Sequence, residues 1–280
     1  MIKVITNFAI LTTLLSVNYL VAQEFHGQAI YESKTLMDDT MQISSPNMTE
    51  EMKQQFKEKM KKAFEKTYVL NFNKYESIYF QEEKLESPGK NGPSNFIFKS
   101  NTDGKKYKNV KEKIEISEED GFGKEFLVTD SLKNWNWKLE NETKKIGNYT
   151  CYKAVAIIPV SEEDKKEYEE NKNKKGDGKT QFITVLEPKE ETITVWYTLE
   201  IPVSQGPDQY WGLPGLILEA NDGHTIFLCS KITLNPKEKK EIKRPKKGKK
   251  VSKKQYNDIL EKQLENMKDS NGNINIQIGG

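Results

Sequence analysis

The sequence is poor in the residues that most often carry chemistry. Among its 280 residues there are two cysteines and two histidines. His26 and His224 stand far from each other and from Cys151 and Cys229, too few and too scattered for a zinc site of standard spacing. No metal and no cofactor is therefore expected. There is no G-x-S-x-G, no H-E-x-x-H and no phosphate-cradling glycine loop. His224 stands beside Asp222 in "NDGHTIF", which is a turn composition, so Cys151 with His224 as its base makes a poor hydrolase pair. Charge of one sign is also missing, with 44 Lys and Arg against 42 Asp and Glu. The missing motifs and the poor nucleophile–base pair point away from an enzyme.

Long apolar runs are absent beyond the N-terminus. There, Lys3 is followed by an uncharged stretch that ends in Ala22 before Gln23, the pattern of a cleaved signal peptide over 1–22. Asn7, Thr12, Thr13, Ser16 and Asn18 make the run a mediocre membrane anchor. No cysteine stands at the cleavage point, which argues against a lipoprotein. The expected location is the periplasm, the outer membrane surface or the medium. Export places Cys151 and Cys229 where they either form a disulfide or remain two buried thiols. The loop between them is long, so pairing would stabilise by about 4–5 kcal/mol on a chain-entropy model.

The material that is present reads as short strands. "FHGQAIYESKTL" opens a domain over 23–235. Ser45 and Pro46 then start a helix on which Met48, Met52, Phe56, Met60 and Phe64 form one apolar stripe. Interleaved phenylalanines make this a packing stripe in preference to a soft-metal site. Alternating segments follow, including "TYVLNFNKYESIYFQEE", "KEFLVTD", "TCYKAVAII", "TITVWYTLEIPV" and "HTIFLCSKITL". In the fourth of these, Ile193, Val195, Tyr197 and Leu199 share one face and Trp196 takes the other. The segment 161–179 is charged and almost without apolar content, and reads as a mobile surface loop. The pattern predicts a mainly β protein: a curved antiparallel sheet (bowl or half-barrel) with one packed amphipathic helix and a short C-terminal helix. A β-sandwich is the alternative.

After Asn235 the composition changes. Residues 237–254 hold eleven Lys or Arg against two Glu, so 236–254 reads as a basic linker. Residues 255–280 read as a short helix and tail, with Tyr256, Ile259, Leu260 and Leu264 at helical spacing, Ser252 as a cap and alternating Ile274, Ile276 and Ile278. No aromatic residue interleaves the lysines, which argues against nucleic acid. An anionic surface and a solvated linker both fit.

The least turn-like turn is "DQYWGLPGLILEA", Asp208 to Ala220. Pro214 presets the second turn position and Gly215 suits φ > 0 at the third, while Gly212 permits close backbone approach. Trp211, Leu213, Leu216, Ile217 and Leu218 are too apolar to stand together in water. They form either the floor of the curved sheet or a partly open groove.

The unbroken string "GLPGLI" at Gly212–Ile217 resembles the GLPGLI family. So do "LKNWNWKLENETKKIGNYTCYKA" (Leu132–Ala154), "VWYTLEIPVSQGP" (Val195–Pro207) and the lysine-rich region before a short helix. The resemblance implies an exported protein of Gram-negative bacteria without established activity. The family is itself similar to the bowl-shaped, non-catalytic N-terminal domain of a secreted glycan-releasing amidase, which implies a β-bowl. A bowl has a concave face, and pockets are commonly concave and apolar. Trp135, Trp137, Trp196, Tyr210, Trp211, Leu213 and Leu216 are the candidate lining residues, with Tyr197 beside them. The expected function is non-catalytic binding of a hydrophobic small molecule, a peptide or an outer-membrane protein, or service as an accessory subunit of an outer-membrane transport assembly. A strand partner would add to a sheet edge.

Overall fold

The computed structural model describes residues 25–35, 49–52, 54–55, 58, 65–82, 104–172, 187–238 and 240–266. The expected signal peptide, most of the methionine stripe and the isoleucine tail lie outside them. Of the stripe, Met52 is described, and it is 51% exposed.

Among the described residues, twelve strands form a single sheet in the order β12-β6-β5-β4-β3-β2-β1-β11-β10-β9-β8-β7. They are β1 (His26–Thr35), β2 (Lys66–Asn73), β3 (Glu76–Gln81), β4 (Lys106–Asn109), β5 (Ile114–Gly121), β6 (Lys124–Ser131), β7 (Lys138–Ile146), β8 (Tyr149–Ile158), β9 (Glu191–Thr198), β10 (Leu216–Asn221), β11 (Thr225–Leu234) and β12 (Lys249–Ser252). Every pairing is antiparallel except β12 on β6. Two meanders, β2–β6 and β7–β11, flank β1. The expected curved antiparallel sheet is what forms, and the β-sandwich is not.

Connectivity forces the curvature. β6 and β7 are ten positions apart in the strand order, about 48 Å across a flat sheet. Yet Ser131 ends β6 and Lys138 begins β7, and that length of chain reaches at most about 24 Å. The sheet must curl until its two arms approach, and Leu132–Trp137 bridges them.

The C-terminal segment corrects the linker reading. Ile242 packs on Tyr107, Ile116 and Leu127. Arg244 pairs with Glu112 at 2.6 Å and lies over the Tyr107 ring. Lys247 pairs with Glu125. β12 then joins the edge of β6, and α2 (Lys253–Asn266) packs Tyr256, Ile259 and Leu260 on Phe126, Val128 and Val251. Leu127 and Phe126 alternate along β6, so they point to opposite faces. The strap thus crosses one face, pairs at the edge and returns on the other. Ser252 caps α2 as expected, with Gln255 N–H donating to its Oγ and Gln255 Oε1 accepting from its N–H. Lysine content hid the strap because charged side chains lie outward from a backbone that still finds apolar anchors.

The described part of the charged insertion is helical and not the expected loop. Residues Glu162–Lys172 form α1. Its start is a reciprocal cap in which Asp164 N–H donates to Ser161 Oγ and Ser161 donates to the Asp164 carboxylate. Strong helix formers and this cap hold a helix that has no apolar stripe.

Candidate functional site

The segment between β9 and β10, Leu199–Gly215, folds inward. Ile201, Val203 and Gln205 are buried, as are Tyr210, Leu213, Leu216, Ile217 and Leu218. The floor reading of the apolar corner is the one the structure adopts. The two corner glycines exchange their expected roles. Gly212 carries the positive φ, +100°. Gly215 does not, and is instead required by crowding: a Cβ there would stand 2.0 Å from Thr198 O.

Across Gln205–Trp211 every backbone carbonyl has a donor. Gln205 O accepts from Ile217 N–H and Pro207 O from Tyr210 N–H. Gln209 O accepts from Trp135 Nε1–H at 3.0 Å, and Trp211 O from Trp137 Nε1–H at 2.8 Å. The carbonyls of Gly206, Asp208 and Tyr210 all accept from Lys108 Nζ, at 2.8, 2.7 and 3.1 Å. In return Trp211 Nε1–H donates to Lys133 O at 2.8 Å. The bridge Leu132–Trp137 is thereby laced to the loop by three indole donors, each contributing about 1 kcal/mol. Trp135 stacks on Trp137 with ring centroids 5.2 Å apart, and Tyr210 sits at the same distance from Trp135.

The loop reaches the other arm through polar contacts. Ser77 Oγ donates to Gln205 Oε1 at 2.8 Å. Lys106 forms an ion pair with Asp208, both partly exposed. Burial alone would raise the Asp208 carboxyl, but Lys106, Lys108 and the Gln209 backbone N–H together outweigh it and hold the group below the usual carboxylate value. Lys108 is wholly buried. Burial pushes its ammonium down to about 8, against the opposing pull of Glu115 and Asp208. Asp208 takes φ 45°, a left-handed conformation that Asp tolerates better than most residues.

The seven candidate lining residues do not form one surface. Trp135, Trp137, Tyr210, Trp211 and Leu213 share a cluster with Ile193, Val195 and Tyr197. Trp196 and Leu216 belong to another cluster, with Tyr31, Leu70 and Cys151. β10 bulges between Ile217 and Glu219, which separates Leu216 and Leu218 from Ile217 and Ala220. Lys144 lies 4.3 Å over the Trp196 ring and pairs with Glu219. The indoles of Trp135, Trp137 and Trp211 each spend their only polar donor on backbone, which leaves only their ring faces for any further contact.

Cys151 and Cys229, the candidate disulfide, are both free and buried in the second of these cores, with Tyr31, Leu70 and Leu216. Burial pushes the Cys151 thiol up to about 11 and the Cys229 thiol up to about 12. His224 lies in an exposed turn whose Asp222 accepts the backbone N–H groups of His224 and Thr225. Among the described residues no group of three His, Cys, Asp or Glu side chains gathers as metal ligands. Sequence reasoning missed Lys108. Its signal, a lysine two residues from Lys106 in a short strand, is the same as that of an exposed strand face.

A family model described as "Protein of unknown function (Porph_ging)" matches residues 137–219. That span takes in the hexamer, all of β9 and the first part of β10. No curated protein matches the chain. Two solved structures are similar in fold, "Structure of PNGF-II in C2 space group" and "Structure of PNGF-II in P21 space group". Both are 15% identical, with TM-scores of 0.47 and 0.45, over 85% of this chain and 33% of theirs. The chain spans about a third of the length of those structures.

Proposed function

We propose that this chain is an exported, non-catalytic binding protein of the GLPGLI type, and that it meets an anionic surface of the cell envelope through its C-terminal strap. The string at Gly212–Ile217 within the matched span supports the family reading. The observation that carries the binding reading is the rigid mounting of the strap. Ile242, Arg244 and Lys247 fasten it to the sheet. Lys246, Lys249, Lys250 and Lys254 then stand exposed on β12, α2 and the approach to them. A fixed cationic surface loses less entropy on binding than a loose lysine run. Lys249 and Lys250 also precede Val251 on β12, the outer strand of the sheet, where lysine discourages edge-to-edge pairing. The side chains most able to do chemistry, Lys108, Tyr210 and both cysteines, are engaged in packing, which supports binding over catalysis.

The test is co-sedimentation of residues 23–280 with phosphatidylglycerol vesicles and with phosphatidylcholine vesicles. Binding to the first, falling with salt and lost when Lys246, Lys249, Lys250 and Lys254 are changed to Ser, is expected. Equal recovery on both vesicles, or full binding by the variant, overturns the reading. Capture by polyglutamate beads with no vesicle binding redirects it to an acidic protein of the outer membrane.

A further inference from the structure

We infer that the carbonyls of Gly206, Asp208 and Tyr210 form a cation site whose resident cation is the Lys108 ammonium, and that a small primary ammonium ion takes the site when that side chain is cut back. The inference concerns the loop and stands apart from whatever the strap binds.

An ammonium has three N–H donors and no acceptor. Here three acceptors meet it at 2.7 to 3.1 Å, one for each donor. They come from alternate residues of one short loop, and the intervening carbonyls of Pro207 and Gln209 face other donors. Such convergence of alternate carbonyls on one point is how backbone commonly surrounds a cation. The left-handed turn at Asp208 is a conformational cost that the ring geometry offsets. The carboxylates of Asp208 and Glu115 act on the same ammonium and compensate part of its desolvation. A guanidinium is planar and too wide for a point of this shape. A neutral amine has only two N–H groups and would turn a lone pair toward one carbonyl. The ring therefore selects a primary ammonium by charge, size and donor count. Because Tyr210 and Gln209 belong to the same segment, filling the site also sets the position of the carbonyls that hold Trp135 and Trp137.

The experiment uses Lys108→Ala in the otherwise intact chain. Urea unfolding is followed by tryptophan fluorescence in methylammonium, tetramethylammonium and sodium chlorides at equal ionic strength. Methylammonium is expected to move the midpoint to higher urea, while tetramethylammonium, which has no N–H, leaves it with sodium. Equal midpoints in the three salts overturn the inference. Should Lys108→Ala not fold, nitrogen-15 NMR of the unaltered protein decides. One lysine ammonium resonance protected from solvent exchange at neutral pH, and lost in a folded Lys108→Arg variant, is expected. No protected ammonium signal overturns the inference.

Discussion

The backbone of Gly215 lies against the carbonyl of Thr198 so closely that a Cβ on Gly215 would stand 2.0 Å from that oxygen. Backbone, unlike a long side chain, has little room to yield. Gly215→Ala is therefore expected to destabilise by several kcal/mol, on the order of 3, by prying the corner off β9. Gly212 takes φ +100°, but its nearest neighbour to such a Cβ is Trp137 Nε1 at 3.5 Å. Gly212→Ala should cost only the backbone strain, about 1–2 kcal/mol. Urea midpoints of the two variants check the order; a costlier Gly212→Ala would contradict it.

The bridge between the arms depends on its indole donors. Trp137→Phe keeps an aromatic ring against Trp135 and removes the donor to Trp211 O. A loss of about 1 kcal/mol is expected, with earlier proteolysis near residues 132–137 than in the parent. A variant as stable and as resistant as the parent would show that the bond is replaced by water at no cost.

Two buried tyrosines give opposite expectations. Tyr31 Oη donates to Ile217 O at 2.7 Å in the core, so Tyr31→Phe should lower stability by about 1 kcal/mol. Tyr79 Oη is buried with no hydrogen-bond partner among the described residues. Tyr79→Phe removes a desolvated hydroxyl and should leave stability unchanged or raise it slightly. Denaturation of both variants under one condition tests the pair.

The thiols provide a pH test. In the folded protein Cys151 and Cys229 ionise near 11 and 12, raised by burial from an ordinary value of 9.0. The unfolded chain therefore releases these protons first, and binds fewer than the folded chain between about pH 9 and 12. Stability contributed by the thiols is complete below pH 9 and declines as pH rises through that window. Iodoacetamide at pH 8 should label neither cysteine in the folded protein and both in urea. Labelling without denaturant at the rate of a free peptide thiol would show that the core opens locally.

Much of the fold was legible because strands announce themselves by alternation. Ile193, Val195 and Tyr197 do lie together with Trp196 opposed, as period two requires. Leu199 is half exposed in the turn beyond β9, since the strand ends before it. The Ser252 cap and the apolar contacts of α2 follow equally from local pattern. Other features had no local signature. Among its described side chains the Glu162–Lys172 helix fully buries none, with Tyr168 half-buried, so its cap had to make up for the lack of an apolar stripe. The strap hides Ile242 among lysines. Lys108 reads as surface in any window of its strand, yet it is the innermost charge described.

Residue order alone determined that this chain would make short alternating strands, and that the corner at Gly212–Ile217 would be too apolar to stand in water, with floor and groove both open to it. Both follow from side-chain period and from the cost of exposing apolar surface, which are local quantities. Only the tertiary structure decided where the polar groups went. A carbonyl of Tyr210 and an ammonium of Lys108 meet across 102 residues of chain, and Trp137 reaches Trp211 across 74. Such pairings are selected by the closure of the sheet on itself, when each buried donor and acceptor must find whichever partner the curvature brings near.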